Sequence, residues 1–315
     1  MDQQIDLSLV IVNHNTRELL QDCLQSLQRG NDGISFEVTV VDNGSSDGSP
    51  EMVVARYPDA ILIRNETNEG FAKPNNQGLR IARGRYLMLL NSDTTVRPRA
   101  LERLVSFMDE HPEVGACGPR LLYPDGRLQP SCRSFPSLWR HFCDMTGLET
   151  FFPHSVFGNF ETRFDYEHDE QVDQPMGAAL LVRREAIQDV GYLDERLRIY
   201  YNDADWCLRI RQAGWRIGFV HDSEIIHHGS MTTAITNRRL EQFDEMFQNC
   251  LYYYQKHFGP AAVVVYKLMT AFGFFFRTIL WRLVLLRKKN DAAFNRLAYA
   301  KKALGVGLRF WRVSI

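Results

Sequence analysis

The amino-acid sequence predicts an α/β fold, a mainly parallel sheet covered by helices, followed by a C-terminal amphipathic helical appendage. Three observations carry this expectation. Short uncharged runs rich in β-branched residues alternate with stretches whose apolar residues recur every three or four positions, the pattern of strand-helix-strand units. Three of these runs end in polar tips, Asn13-His14-Asn15, Asp42-Asn43-Gly44 and Asn91-Ser92-Asp93, and strand ends of this kind are where an open α/β sheet takes its ligands. Charge is also partitioned: from Pro260 to Ile315 there are eleven Lys or Arg against the single acid Asp291, so 26 of the 37 basic and 37 of the 38 acidic residues precede it.

The first strand is read over Leu7 to Val12. A helix follows, with Leu19, Leu20, Cys23, Leu24 and Leu27 on one face and Gly30-Asn31-Asp32-Gly33 as its stop. Glu37 to Val41 is the second strand, ending at Asp42 and the turn Asn43-Gly44-Ser45-Ser46-Asp47-Gly48. A third strand spans Ile61 to Arg64, after which Asn68-Glu69-Gly70-Phe71-Ala72 opens a helix running toward Ala82. Tyr86 to Leu90 carries no charge, as expected of a strand buried on both faces. Leu101, Leu104, Val105 and Met108 mark the next helix, which ends at His111-Pro112, and Val114 to Gly118 is a further strand.

Residues 123–171 show no clear period and are rich in Pro, Gly and aromatic residues, among them Trp139, Phe142, Phe151, Phe157 and Phe160. So long an irregular stretch reads as a lid or acceptor region. Regularity returns with a strand over Gly177 to Val182 and a helix through Ala186 and Ile187. A second helix starts at Asn202-Asp203-Ala204-Asp205 and stops at Gly214, and Ile217 to Val220 is the last strand before His227-His228-Gly229. The main domain is placed at 1–259 and the basic tail at 260–315.

The polar tips supply the candidate chemistry. Asp93, with an amide and a hydroxyl beside it, suits a hard divalent cation and a diphosphate, although the same residue types are ordinary in turns and caps. Asp203 at a helix start can act as a base toward a hydroxyl, and a helix cap would use it equally well. Asp205 and Arg209, at i and i+4, form a helix pair. His227 is a candidate metal ligand or phosphate contact; Lys73, Arg198 and Arg209 are candidate neutralisers of a diphosphate. Gly44-Ser45-Ser46-Asp47-Gly48 fits the G-x-S-x-G pattern and is trailed by Asp203 and His227, so a serine hydrolase using Ser46 is an alternative.

With 45% apolar and 24% charged residues, the 315-residue chain is neither disordered nor fibrous. Its six cysteines include no C-x-x-C pair, which points to buried thiols of a reducing compartment and away from zinc. Met1-Asp2-Gln3-Gln4-Ile5-Asp6 has no basic stretch followed by an apolar core, so a cytoplasmic location is expected.

Taken in order, these motifs resemble the inverting family-two glycosyltransferases of the GT-A fold, and within them the rhamnosyltransferase-like enzymes of cell-envelope polysaccharide synthesis. Val40-Val41-Asp42-Asn43-Gly44-Ser45-Ser46-Asp47-Gly48-Ser49 is close to the family signature V-V-D-N-G-S-x-D-G-S. Asn68 to Ala72 with Asn75-Asn76-Gln77-Gly78 resembles N-x-G-F-A…N-N-x-G, and Leu89-Leu90-Asn91-Ser92-Asp93 resembles the D-x-D-type metal motif with Asn91 in place of the first Asp. Gly177 to Arg184 is similar to G-A-x-x-L-V-R-R, Tyr201 to Arg209 to F-E-D-x-D-L-C-L-R with Asn202 in place of Glu, and His227-His228-Gly229 to H-H-G. Gln174-Pro175 stands where the family often has Trp.

The resemblance implies that Asn13, His14, Asn15, Asp42, Gly44, Asn68, Phe71, Asn76, Asn91, Ser92 and Asp93 bind a nucleoside-diphosphate sugar. It further implies a Mg²⁺ or Mn²⁺ ion on Asp93 and His227, an acceptor side at Gly177, Ala178 and Asn202, and Asp203 as the catalytic base. The acceptor it implies is a lipid-linked saccharide; with Asn91 and Asn202 departing from the family pattern, a non-catalytic sugar-nucleotide binder is the alternative.

The tail fits that acceptor. Ala261 to Tyr266 and Leu268 to Phe276 are apolar runs interrupted by Lys267, Arg277 and Arg282 and followed by Arg287-Lys288-Lys289, and Leu297 to Trp311 is a second such segment. No run reaches the roughly 18 uncharged residues of a spanning helix, so peripheral attachment to an anionic membrane surface on the inner face of the cell membrane is expected. An oligomerisation element, giving a homo-oligomer, is the alternative. Nucleic acid would account for the charge but not for the aliphatic content.

Overall fold

A computed structural model of the chain describes residues 5–29, 33–146, 148, 152, 164–229, 243–287, 297–298, 300–302 and 304–305. The expected helix stop at Gly30-Asn31-Asp32, the aromatics Phe151, Phe157 and Phe160, Lys288-Lys289 and most of Leu297 to Trp311 lie outside the described residues. The chain divides into two compact units, one within Met1–Phe135 and Phe164–Thr232, the other within Pro136–Arg163 and Thr233–Ile315.

In chain order the elements are β1 (Leu7–Asn13), α1 (Arg17–Leu27), β2 (Phe36–Asn43), α2 (Ser49–Arg56), β3 (Ile61–Asn65), α3 (Ala72–Ile81), β4 (Tyr86–Asn91), β5 (Thr94–Val96), α4 (Ala100–Glu110) and β6 (Val114–Leu122). There follow β7 (Cys132–Arg133), α5 (Leu138–Thr146), β8 (Glu170–Gln171), β9 (Gln174–Pro175), β10 (Ala179–Arg183), α6 (Arg184–Val190), α7 (Asn202–Gln212), β11 (Arg216–His227) and α8 (Phe243–Arg287). The first unit is built on one sheet of order β3-β2-β1-β4-β10-β6-β11-β5, with β8 paired to β11; β7 and β9 make a separate antiparallel pair. β1, β2, β3 and β4 are parallel, and β11 is parallel to β6. β10 is antiparallel to both β4 and β6.

Burial on both faces explains the uncharged strands. Leu7, Leu9, Ile11, Met88 and Leu90 point into a core closed by Leu20, Cys23, Leu24 and Leu27 of α1 and by Leu101, Leu104, Val105 and Met108 of α4. Each such leucine contributes about 2 kcal/mol by leaving water. On the opposite face α3 comes close to β1 at Gly78, where an added Cβ would stand 2.5 Å from Val10 Cγ1. All six cysteines are buried, and burial pushes the Cys23 thiol up to about 12, against an opposing hydrogen bond with Thr94.

Three elements differ from expectation. β11 does not stop at Val220 but resumes after a register shift before Glu224 and runs to His227. The run His221-Asp222-Ser223-Glu224 has the polarity of a strand exit, yet the shift accommodates it: His221 meets Asp169 and Ser223 Oγ donates to the Ala100 carbonyl. β5 is too short for periodicity to reveal, and it pairs antiparallel with β11 so that His227 faces Thr94. Residues 123–171, which show no period in the sequence, contain the β7 strand, α5 and β8. Two-residue strands carry no alternation to read.

In the second unit α5 packs on α8. His141 Nε2–H donates to Thr270 Oγ1 at 2.8 Å, whose own hydrogen goes to the Tyr266 carbonyl, and the His141 ring stacks on Tyr266 at 4.1 Å. Burial pushes the His141 imidazole down to about 4. Gly259, at φ 80°, and Pro260 interrupt α8. Beyond that break one face buries Val263, Tyr266, Thr270, Phe274 and Thr278. The other exposes Val264, Val265, Leu268, Phe272, Phe275, Phe276, Ile279, Leu280 and Leu283. Among the described residues the segment Asp244–Leu283 is the one helix long and apolar enough to cross a membrane.

Candidate functional site

Parallel pairing in register sets the site. Asn13 lies opposite Asp42 and Val12 opposite Asn91, so the tips of β1, β2 and β4 emerge together where chain order reverses between β1 and β4. Ligands of open α/β sheets bind at such a switch point.

Hydrogen bonds join the tips into one polar floor. Asn13 Nδ2 donates to Asp42 Oδ1 at 3.0 Å and to Ser45 Oγ at 3.1 Å, and Asp42 Oδ2 accepts from Ser45 N. On its other side Asn13 Oδ1 accepts from Thr16 Oγ1, which in turn lies 2.9 Å from Ser92 Oγ. His14 Nδ1 bonds the Asn43 carbonyl, and Asn15 Oδ1 accepts from Ser46 N. Asp47 receives Arg17 N, Ser49 N and Ser49 Oγ, so one carboxylate caps the starts of both α1 and α2. Burial works to raise its pKa, but these donors win and hold it below the usual range.

Several polar and charged residues around the strand tips, among them Asn76 and the candidate cations, are engaged with the scaffold. The amide of Asn43 bonds Asn68 Oδ1, the Gly70 carbonyl, Asn65 Nδ2 and Glu69 N, pinning the loop into α3. Asn76, 1% exposed, spends its side chain on the backbone of Leu193 and on Glu195 Oε1. Phe71 N donates to the Arg198 carbonyl at 2.7 Å, and Arg198 itself donates to the Asn68 carbonyl. Lys73 pairs with Glu69, and Arg209 is held by Asp205 and by the carbonyls of Val190 and Tyr192, the helix pair the spacing predicts.

Gly44 is fixed by a close approach. It sits at φ +77°, and a Cβ there would lie 2.9 Å from the Thr67 Cα and carbonyl carbon, which are backbone and cannot swing away. Gly44→Ala is therefore expected to cost about 1–3 kcal/mol, the range for a residue forced into left-handed backbone. An unchanged thermal midpoint would show that the loop yields.

The second half of the site comes from the reversed strand. Because β10 is antiparallel to β4, the residues entering it lie beside the exit of β4, and Asn91 N donates to the Ala178 carbonyl at 2.8 Å. The next residue back, Gly177, donates its N–H to Asp203 Oδ2 at 3.2 Å. Asp203 Oδ1 accepts from Ala204 N, and Asp203 N donates to Asn202 Oδ1. Asn202 is buried, with Nδ2 on the Leu197 carbonyl. Tyr200 and Tyr201, at φ 66° and 62°, turn the chain into α7 through left-handed backbone, an expense of about 1–3 kcal/mol each that concentrates at functional positions.

β5–β11 pairing supplies the third part. His227 Nε2 lies 3.4 Å from Asp93 Oδ1 and 3.4 Å from Asn91 Nδ2; His227 is 6% and Asp93 9% exposed. On the far side of the ring, His227 Nδ1 meets Gln129 Oε1 at 2.9 Å. A carboxylate oxygen and an imidazole nitrogen are donors that Mg²⁺ or Mn²⁺ accepts. The 3.4 Å spacing is near the roughly 3 Å between adjacent ligands of one octahedral cation, so the residues fit the ion.

Sequence reasoning missed Gln129, which lies in the stretch without period, and β5, the strand that brings His227 to Asp93. Ser46 is no nucleophile elbow: it is exposed, its N–H and Oγ face Asn15, and it is absent from the left-handed residues, which here are the flanking Gly44 and Gly48.

Comparison with known proteins follows the same lines. The model of the family described as Glycosyl transferase family 2 matches residues 8–191. The N-acetylglucosaminyl-diphospho-decaprenol L-rhamnosyltransferase of Mycobacterium tuberculosis (strain CDC 1551 / Oshkosh) is 31% identical over 249 residues, covering 72% of this chain and 78% of the relative. The O-antigen biosynthesis protein RfbC of Myxococcus xanthus is 28% identical over 71% of this chain, which spans only 17% of that protein. Among solved structures, the mannosyltransferase PcManGT from Pyrobaculum calidifontis, in complex with GDP-Man and Mn²⁺, superposes with a TM-score of 0.55 at 15% identity, covering 99% of this chain and 88% of that one.

Proposed function

This chain belongs to glycosyl transferase family 2 and is a glycosyltransferase, and from that membership we propose that it is a metal-dependent inverting enzyme moving a sugar, rhamnose being the first to test, from a nucleoside diphosphate to a hydroxyl of a lipid-linked saccharide. The observation that carries the reading is the continuity of the site: Asp203 and the Asn91–Asp93 tip are held on either side of Gly177-Ala178 by single hydrogen bonds. A base and a diphosphate anchor at one strand end are what a direct displacement requires.

In this reading Asn13, His14, Asn15, Asp42 and Gly44 form the nucleoside end of the donor site, with Asn68, Phe71 and Asn76 shaping its wall. Asn91, Ser92 and Asp93 face the diphosphate. Asp93 and His227 would hold Mg²⁺ or Mn²⁺, which when bound offsets charge on the departing diphosphate. Asp203 takes the proton of the acceptor hydroxyl as its oxygen attacks, and Gly177, Ala178 and Asn202 border the acceptor. One displacement with a base inverts the anomeric centre. The Mn²⁺ complex of the mannosyltransferase and the decaprenol-linked substrate named for the mycobacterial relative support the cation and the lipid-linked acceptor.

Calorimetric titration with UDP, dTDP, GDP and CMP, with and without Mn²⁺, tests this. Metal-dependent binding of one nucleotide is expected; no binding under any condition would overturn the reading.

The apolar face of α8 is assigned to the membrane. From Val264 to Leu283 it extends about 28 Å at 1.5 Å per residue. Its reverse face is engaged with α5 through polar groups, which favours a helix lying in the headgroup boundary over one that crosses it. The basic excess of 260–315 suits anionic lipid. A Leu268→Glu/Phe272→Glu/Phe276→Glu variant should lose about tenfold or more in partitioning to phosphatidylglycerol vesicles. Equal partitioning would remove this face as the anchor, and a change in sedimentation coefficient instead would make it a contact between copies.

A further inference from the structure

We propose that Gln129 is a positioning residue for the cation site, holding His227 in the one tautomer able to ligate; this rests on the reading of Asp93 and His227 as the metal pair. An imidazole presents a lone pair at one nitrogen only if its hydrogen sits on the other. Gln129 Oε1 is 2.9 Å from His227 Nδ1 in a buried setting, and an amide oxygen only accepts, so Nδ1 carries the hydrogen and donates it. In the neutral ring Nε2 then carries no hydrogen, and it is the atom that lies 3.4 Å from Asp93 Oδ1 and 3.4 Å from the Asn91 amide Nδ2, a donor to such a lone pair.

Without Gln129 the ring has another choice. A hydrogen on Nε2 would satisfy Asp93 directly, turning the ligand pair into an ordinary hydrogen bond that a cation must break. Gln129 therefore biases the site toward the form that binds. It is itself fixed: it is 6% exposed, and its backbone N–H donates to the Leu121 carbonyl at the end of β6. The β5–β11 pairing holds the histidine from the other side, with His228 N on the Asp93 carbonyl. Ring and amide are thus located by the sheet, and neither has to be ordered when the ion arrives. Partners of this kind typically set 10- to 100-fold in metal affinity.

Two measurements test the inference. Imidazole ¹⁵N shifts of the metal-free wild-type protein should show His227 with its hydrogen on Nδ1, and Gln129→Leu should move it to Nε2. Mn²⁺ binding followed by electron paramagnetic resonance, in the presence of each of UDP, dTDP and GDP, should weaken by about 10- to 100-fold in Gln129→Leu and recover in Gln129→Glu, which restores an acceptor oxygen. If the wild-type protein takes up no Mn²⁺ with any nucleotide, the metal reading and this inference fall together. If it does, and Gln129→Leu binds equally well or the wild-type hydrogen is found on Nε2, the role of Gln129 alone falls.

Discussion

Asp203→Asn is expected to lower the transfer rate constant by about a hundred- to ten-thousand-fold, the contribution of a positioned general base, while nucleoside diphosphate binding stays at the wild-type level. The substitution isolates proton transfer because the amide keeps the shape of the carboxylate and one of its two backbone contacts. Its oxygen can accept from Gly177 N or from Ala204 N, as the carboxylate does at 3.2 and 2.9 Å. What it cannot do is take a hydrogen from a hydroxyl. Asp205, two residues on, provides the contrast: it is fully buried and tied to Arg209, so its replacement should unfold α7 before it reports on chemistry. Thermal denaturation separates the two, because Asp203→Asn should melt with the wild type. Full activity in Asp203→Asn would remove it as the base.

How much of this could be read in the sequence depends on the range of the interaction. β1, β2 and β4 were legible because each is a mainly apolar run with a polar exit, and parallel pairing then places Asn13, Asp42 and Asn91 together. Asp203 was legible as a helix-start acid, but its relation to Asn91 was not. That relation exists because β10 enters the sheet reversed between β4 and β6, and four apolar residues followed by an arginine have no direction written in them. His227 is a similar case. Its approach to Asp93 rests on β5, three residues long, and on a strand that continues through a charged run. Asn76 shows a further limit: it has the composition of a ligand contact, yet its amide is engaged by the backbone of Leu193, so it can shape the site without turning its side chain to a ligand. An Asn suits either task, and only the three-dimensional neighbourhood distinguishes them.

Asp93→Ala should abolish the metal dependence of nucleotide binding, weakening binding in the presence of Mn²⁺ by about a hundredfold or more, as expected when several kcal/mol of cation-mediated charge stabilisation is lost. The fold should survive. The side chain of Asp93 meets His227 at 3.4 Å, whereas the link between the β4–β5 turn and β11 is made by the Asp93 carbonyl, which accepts from His228 N at 2.9 Å and is untouched by the substitution. Asp93→Asn should fall between the two, since it keeps an oxygen but removes the charge, and with Asn91 already neutral no carboxylate would remain in the turn. His227→Ala should weaken Mn²⁺ binding less than Asp93→Ala, because a neutral ligand is lost and the anionic one stays. The ordering of the three variants is the informative result. If Asp93→Ala binds nucleoside diphosphate with unaltered Mn²⁺ dependence, the cation sits elsewhere, and the 3.4 Å contact is a structural clasp between β4 and β11.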